Sequence, residues 1–318
     1  MRYIHSTKYI LYNKKIIKDF KIILLSDIHF ATSFTNDKLN YLYNFISNEN
    51  PNYILIVGDI IDSLDEIKKT DEKNRLISWL KQLSKISPLL ISLGSHDFAI
   101  DKIKNKISES EKLLWNEINI INNIYVISDN YYKDDNIFVM GYTQKEKYYE
   151  YIYQKKLLFN HKVENKEEMI NELKLLRKKI NNIPKNIISI AMIHSPIYLK
   201  DSEVTKYIND FDYYISGHMH NGLVPPILYE IWNSTYGFVS PSKKLFVKNE
   251  RNTFKKKTDK LIVNGPITSL SKSSGIFKNL NFIFPSYLSI IEFTNNSNYN
   301  KEKINITKKY NKIKNYHN

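Results

Sequence analysis

Five apolar runs punctuate this chain, and each gives way to polar residues of a narrow range of types. Leu24-Leu25 leads into Ser26-Asp27-Ile28-His29, and Ile54-Leu55-Ile56-Val57 into Gly58-Asp59-Ile60-Ile61-Asp62. Leu89-Leu90-Ile91-Ser92-Leu93 leads into Gly94-Ser95-His96-Asp97, Ile190-Ala191-Met192-Ile193 into His194, and Tyr213-Tyr214-Ile215-Ser216 into Gly217-His218-Met219-His220. Unbroken apolar runs, as opposed to alternating ones, predict strands covered on both faces. Between them the spacing turns helical. Leu39, Leu42, Tyr43 and Ile46 predict a helix opening at Asn36-Asp37 and closed by Pro51-Asn52. Leu76, Trp79, Leu80 and Leu83 predict a second helix, and Pro88 precedes the next strand. Strand, helix, strand, helix, strand makes a parallel sheet with right-handed crossovers. That arrangement puts Asp27, Asp59 and Ser95 on one edge of the sheet, the edge where open α/β sheets bind ligands.

The flanking regions are read by the same rules. Residues 3–12 and 14–25 predict two strands around Asn13-Lys14-Lys15, a hairpin feeding the first core strand. Ser108-Glu109-Ser110-Glu111 fits a capping box opening a helix with Leu114, Ile118 and Ile121. Residues 124–128 and 137–141 predict two more strands. Residues 143–183 show no strand pattern. Ile170, Leu173, Leu176 and Ile180 form a helical stripe there, with Tyr148, Tyr149, Tyr151 and Tyr153 crowding its approach, and the region reads as a helical insertion overhanging the site. Residues 221–260 read as irregular. Residues 287–293 predict a last core strand, followed by a polar Lys/Asn-rich tail over 294–318 in which Ile304 and Ile306 can add an edge strand. The expectation is one domain over 1–318 with that insertion and tail. No internal repeat is present.

Composition narrows the chemistry. The 318 residues include no cysteine, so disulfides and thiolate metal sites are excluded and any metal must be held by oxygen and imidazole. The net charge is +14, which raises nucleic acid, anionic membrane or phosphorylated substrates as partners. The lysines are scattered among Asn, Ile and Tyr, however, and this favours a compositional origin for the charge. No apolar run approaches the ~18 residues of a transmembrane helix. The first twenty residues carry no separate apolar core or small-residue cleavage site, so the expected location is cytoplasmic. Peripheral membrane contact through Trp232, Tyr236, Phe238 and the basic run at 251–257 is the alternative.

The strand ends then carry the argument. Each histidine alone has an ordinary reading as a core or surface residue, and His5, His161 and His317 keep it. His29, His96, His194, His218 and His220 all fall at or just beyond a strand end, beside Asp, Gly or both. In an extended segment residues i and i+2 point the same way, so Asp27 and His29 can meet one cation, and His218 and His220 lie on one side of the chain. Asp59 can bridge two cations, and Asp62 can act from the outer shell. The five ends are expected to converge on a two-metal site with Asp59 at its middle.

In order and spacing these residues resemble the calcineurin-like metallophosphoesterase superfamily. Its signature is Asp-x-His, Gly-Asp-x-x-Asp, Gly-Asn-His-Asp/Glu, a lone His and Gly-His-x-His. The resemblance implies an α/β (α+β) fold, a metallophosphatase-like four-layer sandwich of two mixed β-sheets flanked by helices. It implies one divalent cation on Asp27, His29, Asp59 and His220, and a second on Asp59, the residue at position 95, His194 and His218. Manganese is the first expectation, with iron, zinc or magnesium as alternatives. By the same resemblance His96 sits near the leaving-group oxygen and Asp97 orients its imidazole. The implied activity is hydrolysis of a phosphomonoester or phosphodiester by metal-activated hydroxide. The alternative is a catalytically weak or inactive scaffold on the same fold, and a nuclease of the same superfamily is a further one. The chain departs from the signature at Ser95, where the family has Asn. A hydroxyl reaches less far than an amide carbonyl, so the second cation is expected to bind more weakly than the first; the alternative is that serine is a tolerated variant with normal activity. The substrate and the oligomeric state are not readable from the sequence.

Overall fold

The central strands are unbroken in hydrophobicity because both of their faces are covered. A computed structural model of the chain describes residues 3–31, 34–98, 100–101, 106–107, 109–145, 148, 166–196, 199, 201–220, 252–253, 260–268, 286–299 and 305–312. Within the strand Phe20–Leu25, Ile22 and Leu24 enter one apolar core while Ile23 and Leu25 enter another, and all four are fully buried. The strand Ile188–Ile193 behaves alike. Ile188, Ile190 and Met192 share the core with Ile22 and Leu24, whereas Ala191 and Ile193 face a third.

In chain order the strands are β1 (Tyr3–Tyr12), β2 (Phe20–Leu25), β3 (Tyr53–Val57), β4 (Leu89–Ser92), β5 (Ile100–Asp101), β6 (Lys106–Ile107), β7 (Ile124–Val126), β8 (Asn130–Lys133), β9 (Ile137–Tyr142), β10 (Ile188–Ile193), β11 (Tyr213–Ser216), β12 (Asn252–Thr253), β13 (Leu261–Val263), β14 (Ser286–Thr294) and β15 (Asn305–Lys312). The helices are α1 (Asn36–Glu49), α2 (Leu64–Ile67), α3 (Thr70–Ser84), α4 (Glu109–Asn119), α5 (Lys166–Ile180) and α6 (Ser202–Thr205). A seven-stranded sheet runs β15-β1-β14-β2-β3-β4-β7, and a six-stranded sheet runs β12-β13-β11-β10-β9-β8. Both are mixed. In the first, β2-β3-β4-β7 form a parallel half that meets β14 antiparallel at the middle of the sheet, and in the second the central strands β9-β10-β11-β13 are parallel with antiparallel pairings at both ends.

Three apolar layers separate four structural ones. Leu39, Leu42 and Ile46 of α1, Leu76, Trp79, Leu80 and Leu83 of α3, and Leu114, Trp115 and Ile118 of α4 cover the outer face of the first sheet. The two sheets pack inner face to inner face through residues such as Leu24, Leu55, Val57, Val139, Ile190 and Ile215. Met169, Leu173, Leu176 and Ile180 of α5, with Val204 of α6, cover the outer face of the second sheet. The fold is therefore an α/β four-layer sandwich of two mixed sheets flanked by helices. Helix α1 starts where its sequence allows. The Thr35 side chain accepts the Lys38 N–H, and Asn50 closes the helix in the left-handed region at φ 47°.

Two local expectations differ from the structure. The first two strands do not pair as a hairpin, because β14 lies between them, parallel to β1 and antiparallel to β2. The segment between β1 and β2 buries Ile16 in the intersheet core, and a strand from far along the chain takes the central place. Strand β8 was also not foreseen, since Asn130–Lys133 alternates partly buried and exposed residues at the rim of its sheet. Residues 149, 151 and 153, the stretch 221–251, and with them Trp232, Tyr236 and Phe238, lie outside the described residues.

Candidate metal centre

The carboxyl ends of the parallel strands of both sheets meet along one edge. There the backbone leaves extended geometry and turns left-handed, with φ 50° at Asp27, 48° at His29, 70° at Gly58, 53° at Asp59, 65° at His218 and 46° at His220. For non-glycine residues this region costs roughly 1 kcal/mol or more each, and such residues concentrate at functional sites. Asp27 and His29 are thus brought together by paired kinks, not by the alternation of a strand. The kinks after β2 and β3 run side by side. Asp27 N–H donates to Gly58 O (3.1 Å), His29 N–H to Asp59 O (3.0 Å) and Phe30 N–H to Ile60 O (2.8 Å). Gly58 is required twice over, by its positive φ and by crowding, because a Cβ there would lie 2.8 Å from Gly94 Cα and inside the space of the His194 ring.

Among the described residues three groups of donors result, in each of which the ligand-capable atoms lie within 4.8 Å of one another. His29, Asp62 and His96 form one from the first sheet alone, and two combine the sheets, Asp27, His29 and His220 in the first and Asp59, His194 and His218 in the second. His29 Nε2 and His220 Nε2 are 3.3 Å apart, and Asp27 Oδ1 is 3.4 Å from His220 Nε2. In the second group Asp59 Oδ2 is 3.1 Å from His194 Nε2. Each of these last two groups mixes donors from the two sheets. His220 and His218 divide between the two groups. The groups are nevertheless in contact, since the Asp27 carboxylate accepts the His218 N–H at 3.1 Å on both oxygens and lies 3.7 Å from His194 Nε2.

The electrostatics fit bound cations. Asp27, Asp59 and His194 are essentially inaccessible to water. Burial works against the charge on Asp27, but His220 and His194 outweigh it and hold its carboxyl down at about 2. Burial opposes ionisation of Asp59 as well, and His194 and His96 hold its carboxyl well below the usual range. Burial also opposes a charge on His194, yet Asp59 and Asp27 raise its ring to about 10. Burial, reinforced by His194, pushes His218 down to about 3, and burial with His96 beside it keeps His29 well below its ordinary value. Two imidazoles are therefore held neutral, the form that ligates metals, between carboxylates held ionised. His194 Nδ1 lies 2.8 Å from Val57 O. A carbonyl only accepts, so Nδ1 carries the proton and Nε2 is the ligand-capable nitrogen. Buried carboxylates and neutral imidazoles without thiolates suit divalent cations of intermediate hardness.

Ser95, His96 and Asp97 form a short 3-10 turn after β4. The Ser95 hydroxyl points at the carboxylate of Asp59, 3.4 Å from Oδ1, and the His96 N–H donates to the same oxygen at 2.9 Å. The His96 ring donates from Nδ1 to Asp62 O at 2.8 Å, and burial is outweighed by Asp59 and this carbonyl, so its pKa is raised. The expected pairing of Asp97 with His96 is not made. Asp97 Oδ1 accepts the N–H groups of Ile60 (2.7 Å) and Ile61 (3.0 Å), and Oδ2 accepts that of Gly94 (2.8 Å). Three backbone donors converge on this buried carboxylate and turn it away from its neighbour's ring. Asp97 thus ties the turn after β3 to the turn after β4. Burial and the charge of Asp59 push its pKa up to about 7 despite these bonds.

Residues that the motif pattern missed also reach the site. Gln144, beyond β9, accepts the Ser195 N–H at 2.8 Å, holding the peptide that follows His194. Asp62, already expected in the outer shell from the motif, places a carboxylate oxygen 3.6 Å from His29 Nδ1 as well as holding His96 by its carbonyl. Asn264 follows β13, and Thr268 N–H donates to Asp27 O at 3.0 Å. The signal for this last segment was present in the chain, since Leu261-Ile262-Val263 is one more apolar run ended by a polar residue and glycine.

An α/β sandwich with a carboxylate–imidazole cluster on the shared carboxyl edge of its two sheets is a metallophosphatase-type protein. A family model described as calcineurin-like phosphoesterase matches residues 20–222, and the chain belongs to that family. An uncharacterized metallophosphoesterase of Campylobacter jejuni is 32% identical over 81 residues, 26% of this chain and 20% of that protein. A Danio rerio transmembrane protein with a metallophosphoesterase domain is 31% identical over 81 residues, 24% of this chain and 17% of that protein. The chain thus matches a fifth or less of the length of these curated relatives. Among solved structures, a dimetal phosphatase from Danio rerio aligns with TM-score 0.44 and 12% identity over 78% of this chain and 87% of that one. GAP50, the anchor in the inner membrane complex of Plasmodium, aligns with TM-score 0.34 and 16% identity over 64% of this chain and 67% of that one. No helix among the described residues is long and apolar enough to cross a membrane.

Proposed function

We propose that the chain is a dinuclear metal-dependent phosphoesterase that hydrolyses a phosphomonoester or phosphodiester. The observation that supports this most is the pair of touching donor groups, each drawn from both sheets. In this reading Asp27, His29, Asp59 and His220 hold one divalent cation, and Asp59, Ser95, His194 and His218 hold the other. Manganese is the proposed metal, and the oxygen and imidazole donors suit iron or zinc as well. Two such cations supply a Lewis-acid grip on phosphoryl oxygens and bring the pKa of a bound water toward about 7.

The residues of the chain supply the remainder. Asp97 fixes Ile60, Ile61 and Gly94, and so fixes Asp59, which lies between them in the two turns. His96 has its Nδ1 proton committed to Asp62 O, which leaves Nε2 to stabilise or protonate the leaving oxygen. Asp59 beside it favours the charged ring that such a role needs.

The test is hydrolysis of a small aryl phosphomonoester and its diester with added manganese, using Asp59→Asn as the blank. Turnover of either substrate is expected. The substitution should lower it on the order of 10³-fold, because one change weakens both cations, each worth several kcal/mol to the transition state. A wild-type chain that binds two metals yet turns over neither ester would favour the scaffold reading.

A further inference from the structure

Both donor groups take side chains from both sheets, so their geometry depends on how the two sheet edges are locked together. Two of the locks are made by candidate ligands themselves, His194 to Val57 and His218 to Asp27. A third involves a residue outside the ligand set. Asn264 is 1% exposed and follows β13 of the second sheet. Its backbone N–H donates to Ser216 O at 2.8 Å, at the end of β11 and two residues before His218. Its side chain crosses to the first sheet. Nδ2 donates to Ser26 Oγ at 3.1 Å and to Gly265 O at 2.9 Å, and Oδ1 accepts the Ser289 hydroxyl at 2.7 Å. Ser26 immediately precedes Asp27, and Ser289 pairs with Leu24 in the adjacent strand.

We propose that Asn264 is a positioning residue for the metal centre, setting the place of Asp27 relative to His218 and His220 by joining Ser26 and Ser289 to the end of the second sheet. The bonds after it continue the same strap, with Ile267 N–H on Ser26 O and Thr268 N–H on Asp27 O, both at 3.0 Å. Space on this edge is tight, since a Cβ on Gly217 would lie 2.7 Å from Asp27 Oδ2 and from Ser26 Cβ. Buried, fully bonded amides of this kind hold a single arrangement, because any shift leaves a buried polar group unmatched. Serine at 26 and 289 gives the amide one hydroxyl to donate to and one to accept from. The assignment of the amide oxygen and nitrogen follows from those partners, since Gly265 O can only accept.

The inference rests on the two-metal reading, and calorimetric titration of the metal-free protein with Mn²⁺ separates the two. If the wild type binds no Mn²⁺, the two-metal reading fails. If it binds two, Asn264→Ala is expected to weaken one of the two binding steps about tenfold, the low end for supporting residues of a metal site. Ser26→Ala should weaken the same step, and the double variant should be no worse than Asn264→Ala alone, because Ser26 acts through its bond to Asn264. Asn264→Asp keeps the bond from the Ser289 hydroxyl but sets a carboxylate oxygen against Gly265 O, which can only accept, so it should weaken the same binding step as Asn264→Ala. Should Asn264→Ala fail to fold, Ser26→Ala and Asn264→Asp carry the comparison. Both steps unchanged in Asn264→Ala, or losses that add in the double variant, overturn the proposal. So does a lowered unfolding midpoint with the two affinities intact, the outcome of a purely structural role.

Discussion

His194 Nδ1 lies 2.8 Å from the main-chain carbonyl of Val57, and this bond runs from the second sheet to the first. With Nδ1 donating to Val57 O, Nε2 is the nitrogen turned toward Asp59 Oδ2, 3.1 Å away. A single side chain therefore closes the joint between the sheets and supplies a donor to the cluster.

Removing that side chain should cost in two separable ways. His194→Ala deletes a buried hydrogen bond and opens space in a packed joint, a loss of about 2–4 kcal/mol in stability. It also removes one donor of the group formed with Asp59 and His218, so metal analysis is expected to find one manganese per chain in the variant and two in the wild type. A variant that keeps both metals and the wild-type midpoint contradicts the placement.

Ser95 makes a sharper case, because its hydroxyl is 3.4 Å from Asp59 Oδ1 and belongs to the turn that also holds Asp59 through His96 N–H. An amide at this position reaches further and adds a neutral oxygen donor. Ser95→Asn should tighten the weaker of the two metal-binding steps by about tenfold and leave the stronger one unchanged. Equal affinities in wild type and variant would dispose of the asymmetry.

The strand ends announced most of this centre and misled about part of it. Asp27, His29, Asp59, His194, His218 and His220 were legible because each follows an apolar run, and parallel strands carry such residues to one edge. What brings them together was not legible. The left-handed turns at Asp27, His29, Asp59, His218 and His220 have no hydrophobic signature, and strand alternation puts His218 and His220 on one side of the chain where the turns carry them to different groups. Adjacency in sequence suggested that Asp97 serves His96, but three main-chain donors, which no side-chain pattern encodes, claim that carboxylate instead. The pairing of β1 was hidden for a related reason. Its partner β14 lies at the other end of the chain, and local pattern carries no record of distant pairings.

Asp97 can be distinguished from a partner of His96 by its substitution. An amide in place of the carboxylate must turn its nitrogen toward Gly94 N–H or toward the N–H groups of Ile60 and Ile61, so at least one buried bond is lost and two donors oppose each other. Asp97→Asn should lower stability by about 2–3 kcal/mol and lower kcat, read by thermal unfolding and by ester hydrolysis. The acid limb of the pH–rate profile should stay where it is, because the His96 ring rests on Asp62 O. A displaced acid limb would restore the pairing of Asp97 with His96.

The charges of the cluster predict how stability follows pH when no metal is bound. His194, raised to about 10 against an ordinary value of 6.5, binds its proton more tightly folded than unfolded. Its contribution is complete below about pH 6.5 and is lost as pH rises toward 10. Asp97, raised to about 7, acts in the same direction, since the protonated carboxyl is favoured in the fold and that preference fades between its ordinary value of 3.8 and 7. His218 and His29 are depressed, so they favour the fold increasingly as pH climbs toward 6.5 and add nothing further above it. The metal-free chain should therefore be most stable near about pH 6.5 and lose several degrees in its unfolding midpoint by about pH 8.5. Excess Mn²⁺ should raise the midpoint and flatten this decline, because bound cations take over the compensation of Asp59 and Asp27 that the His194 proton provides and bind only the folded chain. Thermal unfolding of chelator-treated protein at the two pH values, with and without Mn²⁺, measures both effects. A metal-free midpoint that holds level or rises across that interval would mean that the charge balance around His194 is not the one described.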